Sequence, residues 1–132
     1  MRKLLSLIVL ALVLLVAGCG AEESTGKDAA SSKEDKKKIA LVLPEKIGVN
    51  PFFQQMDEGA KQAAKEFGVE LKTIESTDHS AIEENLRVAV AEGYDLIITS
   101  SFESEDALKK VATENPDRQF AIIDTVVDLP NV

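Results

Sequence analysis

The residues in this chain whose types could do chemistry fall in a few short segments. Asn50-Pro51-Phe52-Phe53 sets an amide beside two adjacent aromatics, Ser100-Ser101-Phe102 offers two hydroxyls and a third ring, and Asp124 follows the apolar run Phe120–Ile123. A carboxylate can accept two hydroxyl hydrogen bonds from a polyol, an aromatic face can stack on a planar or sugar-like ring, and an amide can bond beside it. That is chemistry for holding a polar ring. Each group also has a plain structural alternative: Asn50 as a helix cap, both rings packed under a sheet, the serines capping the next helix, and Asp124 as a turn or cap acid. Adjacent helical positions point about 100° apart, so Phe52 and Phe53 cannot both face one core. Glu45 reads as a solvated loop charge.

His79 is the single histidine, with no cysteine or carboxylate cluster at ligand spacing around it. It reads as a surface turn residue, and no metal or cofactor is expected. GxSxG, HExxH, Walker and GxGxxG patterns are all missing from the sequence, so the expectation is binding, not catalysis.

The elements that must carry these segments follow from periodicity. Ile39–Leu43, Val69–Ile74, Leu96–Thr99 and Phe120–Ile123 are short, mostly apolar runs, the pattern of strands buried on both faces of a parallel sheet. Between them lie helical patterns. The first has Asn50 as N-cap and Pro51 at N1, then Phe52 or Phe53, Met56, Ala60, Ala63, Ala64 and Phe67 on one face, with Gly68 as the stop. The second starts at Ser80 with Glu83 completing a capping box, buries Ile82, Leu86 and Ala89 or Val90, and stops at Gly93. The third runs from about Glu103 through Ala107, Leu108 and Val111 to Asn115-Pro116. The expected fold is α/β, a three-layer Rossmann-like parallel sheet in the order β-α-β-α-β-α-β. Ligands of open sheets of this kind bind at the carboxyl ends of the strands, which singles out Pro44–Pro51, Ser76–His79, Ser100–Phe102 and Asp124–Asp128.

The amino-terminal part reads as an export signal. Arg2 and Lys3 precede the apolar run Leu4–Ala17, which ends in Gly18-Cys19. At ~1.5 Å per residue that run covers about 21 Å of helix, short of the ~30 Å hydrocarbon core. It resembles the lipobox of bacterial lipoproteins, which implies cleavage after residue 18, lipidation of Cys19, and a protein tethered to the cell membrane on its extracytoplasmic face. Cys19 is the single cysteine and can form no internal disulfide. Residues 19–37 read as a flexible polar linker and 38–132 as the folding part. Cleavage removes two of 15 basic residues and none of 23 acidic ones, shifting the net charge from −8 to −10. Such a surface repels phosphate backbones, and nucleic acid is excluded as a partner.

Glu92-Gly93-Tyr94-Asp95-Leu96-Ile97-Ile98, Ala107–Ala112 with Asn115-Pro116-Asp117, and above all Phe120–Val132 resemble the basic membrane protein (PnrA-like) family. These are substrate-binding lipoproteins of ABC importers with the two-lobed type I periplasmic-binding-protein fold, and well-known members bind purine nucleosides. The resemblance implies a nucleoside or ribose-bearing ligand, ABC permease subunits as partners, capture by hinge closure, and a chain more than twice as long, so that residues 38–132 form a partial first lobe. Pro44–Phe53 departs from the family's acidic residue, glycine pair and Ser-Phe. Asn50-Pro51-Phe52-Phe53 is more similar to the ribose-type sugar receptors of the same superfamily, whose asparagine and aromatics hold the sugar ring. Both relatives place an aspartate at Asp124. A ribose-type receptor or a ligand-sensing module of the same fold is the alternative.

Overall fold

Successive side chains of a strand point to opposite faces, and strand β1 (Lys38–Leu43) uses both. In the computed structural model, which describes residues 36–132, Ala40 and Val42 enter one hydrophobic cluster while Leu41 and Leu43 enter another. The leader, Cys19 and most of the linker lie outside the described residues. Helix α1 (Pro51–Phe67) leads to β2 (Glu70–Glu75), α2 (His79–Ala91) to β3 (Leu96–Ser100), and a short 3-10 turn (Phe102–Ser104) and α3 (Glu105–Glu114) to β4 (Gln119–Ile123). All strand pairs are parallel, in the order β2-β1-β3-β4. The expected α/β layering is present.

One side of the sheet carries α2 and α3, with Ile82, Leu86, Leu108 and Val111 against Ala40, Val42, Ile97 and Phe120. The other carries α1, with Phe53 against Leu41 and Leu43, and Met56, Ala60 and Ile98 half-buried around it. β1 thus meets helices on both sides. β2 does not: as an edge strand it exposes Glu70, Lys72 and Glu75 and only half-buries Leu71 and Ile74, correcting the expectation that every apolar run is covered on both faces.

Asn50 caps α1, its Oδ1 accepting from Phe52 N at 3.0 Å. Gly68, at φ 69°, closes the same helix in the left-handed conformation that costs glycine little. Phe67, expected on the buried face, is 74% exposed and lies outside the α1 core cluster, so it is a surface residue at the end of the helix. α2 is capped by Asp78, not Ser80; Asp78 Oδ1 accepts from Ala81 N at 3.1 Å and from Ser80 Oγ at 2.5 Å. Ser80 supports the cap, and Glu83 pairs with Arg87 and Lys110 instead of closing a capping box. The third helix proper begins at Glu105, after the 3-10 turn.

Two buried polar anchors carried no sequence signal. Asp57 of α1, 4% exposed, accepts from Thr73 Oγ1 of β2 at 2.7 Å and pairs with Lys61 at 2.6 Å. Burial pushes its carboxyl up, yet the bonds from Lys61 and Thr73 outweigh burial and leave it below the ordinary carboxylate value. Asn131 donates to the carbonyls of Ala112, Asn115 and Arg118, and its own carbonyl accepts from Phe120 N at 2.8 Å. The segment after β4 is thereby laid along the sheet edge, where Val127, Leu129 and Val132 join the α2–α3 core.

Candidate functional site

The chain leaves β1 toward β2 through α1 and returns to β3 on the other side of β1, so the strand order reverses between β1 and β3. At such a switch point the loops after the two strands diverge and leave a crevice at the carboxyl edge. All four loops singled out in the sequence start at that edge.

The loop after β1 is pinned by β2: Ile47 N donates to Glu75 Oε1 at 2.6 Å, and Ile47 bridges Asn50. Asn50 is exposed, with its Oδ1 committed to the helix cap, which leaves its amide nitrogen as the group that can face a ligand. Of the two adjacent rings, Phe53 is 3% exposed in the α1 core, and Phe52 is half-buried with its ring edge-on to Phe53 at 5.5 Å. One ring belongs to the core and one is left over, as the helical angle requires.

At the end of β3, Ser100 is fully buried with no hydrogen-bond partner for its Oγ among the described residues. Neither it nor Ser101 caps a helix by side chain; Thr99 reaches Ser104 Oγ at 3.1 Å and Val42 O at 2.8 Å instead. Phe102 is 74% exposed. Ser101 takes φ 69° and ψ 156°, a region almost exclusive to glycine, and Asp124 takes φ 71°. Ser100 pairs with Ile123 in the parallel register, so Ser101 and Asp124 are the next residues on neighbouring strands, joined by Ser101 N donating to Ile123 O at 3.0 Å. Phe102 and Asp124 therefore belong to one stretch of edge, with Asp124 exposed.

A second part of the edge was not assembled from sequence. A cleft of about 430 Å³ lies between the loops after β1 and β2, lined by Glu45, Lys46, Ser76, His79 and Glu103 among others. Glu45 and His79 stand in its wall. Asp78, also in the wall, is held below the ordinary carboxylate value first by the Ser80 hydroxyl and then by Ala81 N–H. Glu103 has one carboxylate oxygen buried without a partner among the described residues. Its position in the 3-10 turn, invisible to helical periodicity, brings it there. Among the described residues no group of three or more His, Cys, Asp or Glu could hold a metal ion.

A parallel sheet with helices on both faces and a polar, aromatic-bearing carboxyl edge at its switch point is the α/β arrangement found in the periplasmic-binding-protein fold. Comparison with solved structures agrees: an ABC transporter solute-binding protein from Aeropyrum pernix K1 superposes with a TM-score of 0.63 at 27% identity, over 70% of this chain and 26% of that one. The chain belongs to the Bmp family, ABC transporter substrate-binding protein PnrA-like, which matches residues 36–132. It is 32% identical over 134 residues to the ABC transporter nucleoside-binding protein BmpA of Lactococcus lactis, and 30% identical over 131 residues to the CD4+ T-cell-stimulating antigen of Listeria innocua. Those matches cover 96% and 94% of this chain; it spans 37% and 36% of the relatives' own length. The family is one of binding proteins, not enzymes.

Proposed function

We propose that this chain is the ligand-capturing lobe of an extracytoplasmic receptor that delivers a nucleoside, or another ribose-bearing solute, to an ABC permease. Cys19 carries the lipid that holds it on the membrane, residues 1–18 are the signal, 19–37 the tether and 38–132 the lobe. The observation that carries the ligand reading is the shared edge of β3 and β4, where exposed Phe102 and the carboxylate of Asp124 follow strands locked in register. Asp124 accepts two ribose hydroxyls, Phe102 and Phe52 supply faces for the rings, the amide nitrogen of Asn50 donates from the β1 side, and Ser100 is the buried hydroxyl beneath them. Phe53 supports Phe52 from the core. Capture is by hinge closure over the solute, with no covalent step. The relative named as nucleoside-binding supports the choice of ligand.

Calorimetry with purine nucleosides and with ribose, on the protein expressed from its own gene, tests the proposal. Asp124→Ala is expected to cost about 1–3 kcal/mol, a five- to two-hundred-fold loss of affinity. Nucleoside binding that survives this substitution unchanged removes Asp124 from the site, and ribose bound more tightly than any nucleoside moves the assignment to a sugar receptor.

A further inference from the structure

Resting on the nucleoside reading above, we infer that Thr125 and Glu105 are positioning residues that fasten the β3 and β4 loops into one preformed ledge carrying Phe102 and Asp124. Three observations join here. First, Ser101 and Asp124, adjacent in register, both take positive φ, so both strands end on one line and both chains turn there. Such conformations are costly for residues with a Cβ and persist only where surrounding contacts over-determine them. Second, those contacts are present: Ser101 N donates to Ile123 O at 3.0 Å, and Ser104 N donates to Ser101 O at 3.1 Å, closing the turn that holds Phe102. Third, the hydroxyl of Thr125, next to Asp124, donates to the carboxylate of Glu105, the first residue of α3. The clip runs from the β4 loop to the helix that the Phe102 turn leads into. Neither Thr125 nor Glu105 needs to touch the ligand; each acts through the placement of its neighbour, and the affinity gained comes from ordering the ledge before the ligand arrives.

The test uses Thr125→Val, which keeps the shape and removes the donor, and Thr125→Ser, which restores it. On the ligand-free protein, amide hydrogen exchange is expected to quicken in Thr125→Val both at Ser101–Ser104 and at Asp124–Thr125, while the Ser76–Asp78 loop is unchanged and Thr125→Ser returns to the wild-type pattern. Nucleoside affinity is expected to fall in Thr125→Val by about two- to one-hundred-and-fifty-fold, the range of coupling between contacting residues, and to recover in Thr125→Ser. Quickened exchange confined to residues 124 and 125, or spread equally to the Ser76–Asp78 loop, overturns the single ledge. Coupled exchange with unchanged affinity overturns its role in positioning. A wild-type protein that binds no nucleoside refutes the ligand reading, while the exchange pattern still decides whether the two loops move as one.

Discussion

Asp57 offers the sharpest test of the packing, because its carboxylate is buried while its cationic partner is not. Lys61 is 66% exposed, so its pairing contributes only about 0.3–0.5 kcal/mol, the value of a helical i,i+4 pair. The bond from Thr73 is different: it joins α1 to β2 at 2.7 Å and its acceptor is charged. Charged hydrogen bonds contribute about 1.5–3 kcal/mol against about 0.5–1.5 for neutral ones, so Asp57→Asn, which keeps an acceptor and loses the charge, is expected to cost about 1–2 kcal/mol. In a domain of this size that lowers the melting temperature by roughly 4–16 °C. The sign of the pH dependence follows from the lowered carboxyl value. Stability from this group is fully present above its unfolded value of about 3.9 and is lost as pH falls through the lower folded value. Asparagine does not titrate there. The gap between wild type and Asp57→Asn is therefore expected to be widest near neutrality and to close in acid, as followed by calorimetric melts from pH 7 downward. A gap of constant size at every pH refutes the charged bond, as does an unchanged melting temperature. A Thr73→Val cycle apportions the effect, and additive losses show that the two side chains do not interact.

Asn131→Ala removes the donor to three backbone carbonyls and is expected to cost about 1–3 kcal/mol and to quicken amide exchange at Phe120, read by chemical denaturation and exchange. Asn50→Ala is expected to cost about 0.5–2 kcal/mol through loss of the α1 cap; Asn50→Asp keeps the capping acceptor and lacks the amide nitrogen, so an affinity below wild type in Asn50→Asp assigns that nitrogen a ligand contact, and wild-type affinity assigns it none. Cys19→Ala is expected to abolish incorporation of labelled fatty acid into the protein; a variant that still takes up the label refutes the lipid anchor at Cys19.

The element order could be read from residues because its determinants are local. An apolar run such as Leu96–Thr99 between Gly93 and a polar helix start, or Asn50-Pro51 opening a periodic segment, states its conformation within a few residues. The carboxyl edge was legible for the same reason, since a β-α-β order places it. What sequence left open depended on partners distant in the chain. Two adjacent phenylalanines are equivalent to a helical pattern, and the side on which Leu41 and Leu43 lie made Phe53 the core ring and Phe52 the other. Asp78 and Ser80 are both good caps, and the strand-to-helix path after β2 chose between them. Asp57 looks like any solvated helix charge until Thr73 arrives from a strand 16 residues away. The positive φ at Ser101 and Asp124 has no local signature, because neither is glycine. Those angles exist because hydrogen bonds to Ile123 and Ser104 and the Thr125–Glu105 clip oppose the local preference, and that balance is struck only when β3 and β4 lie side by side.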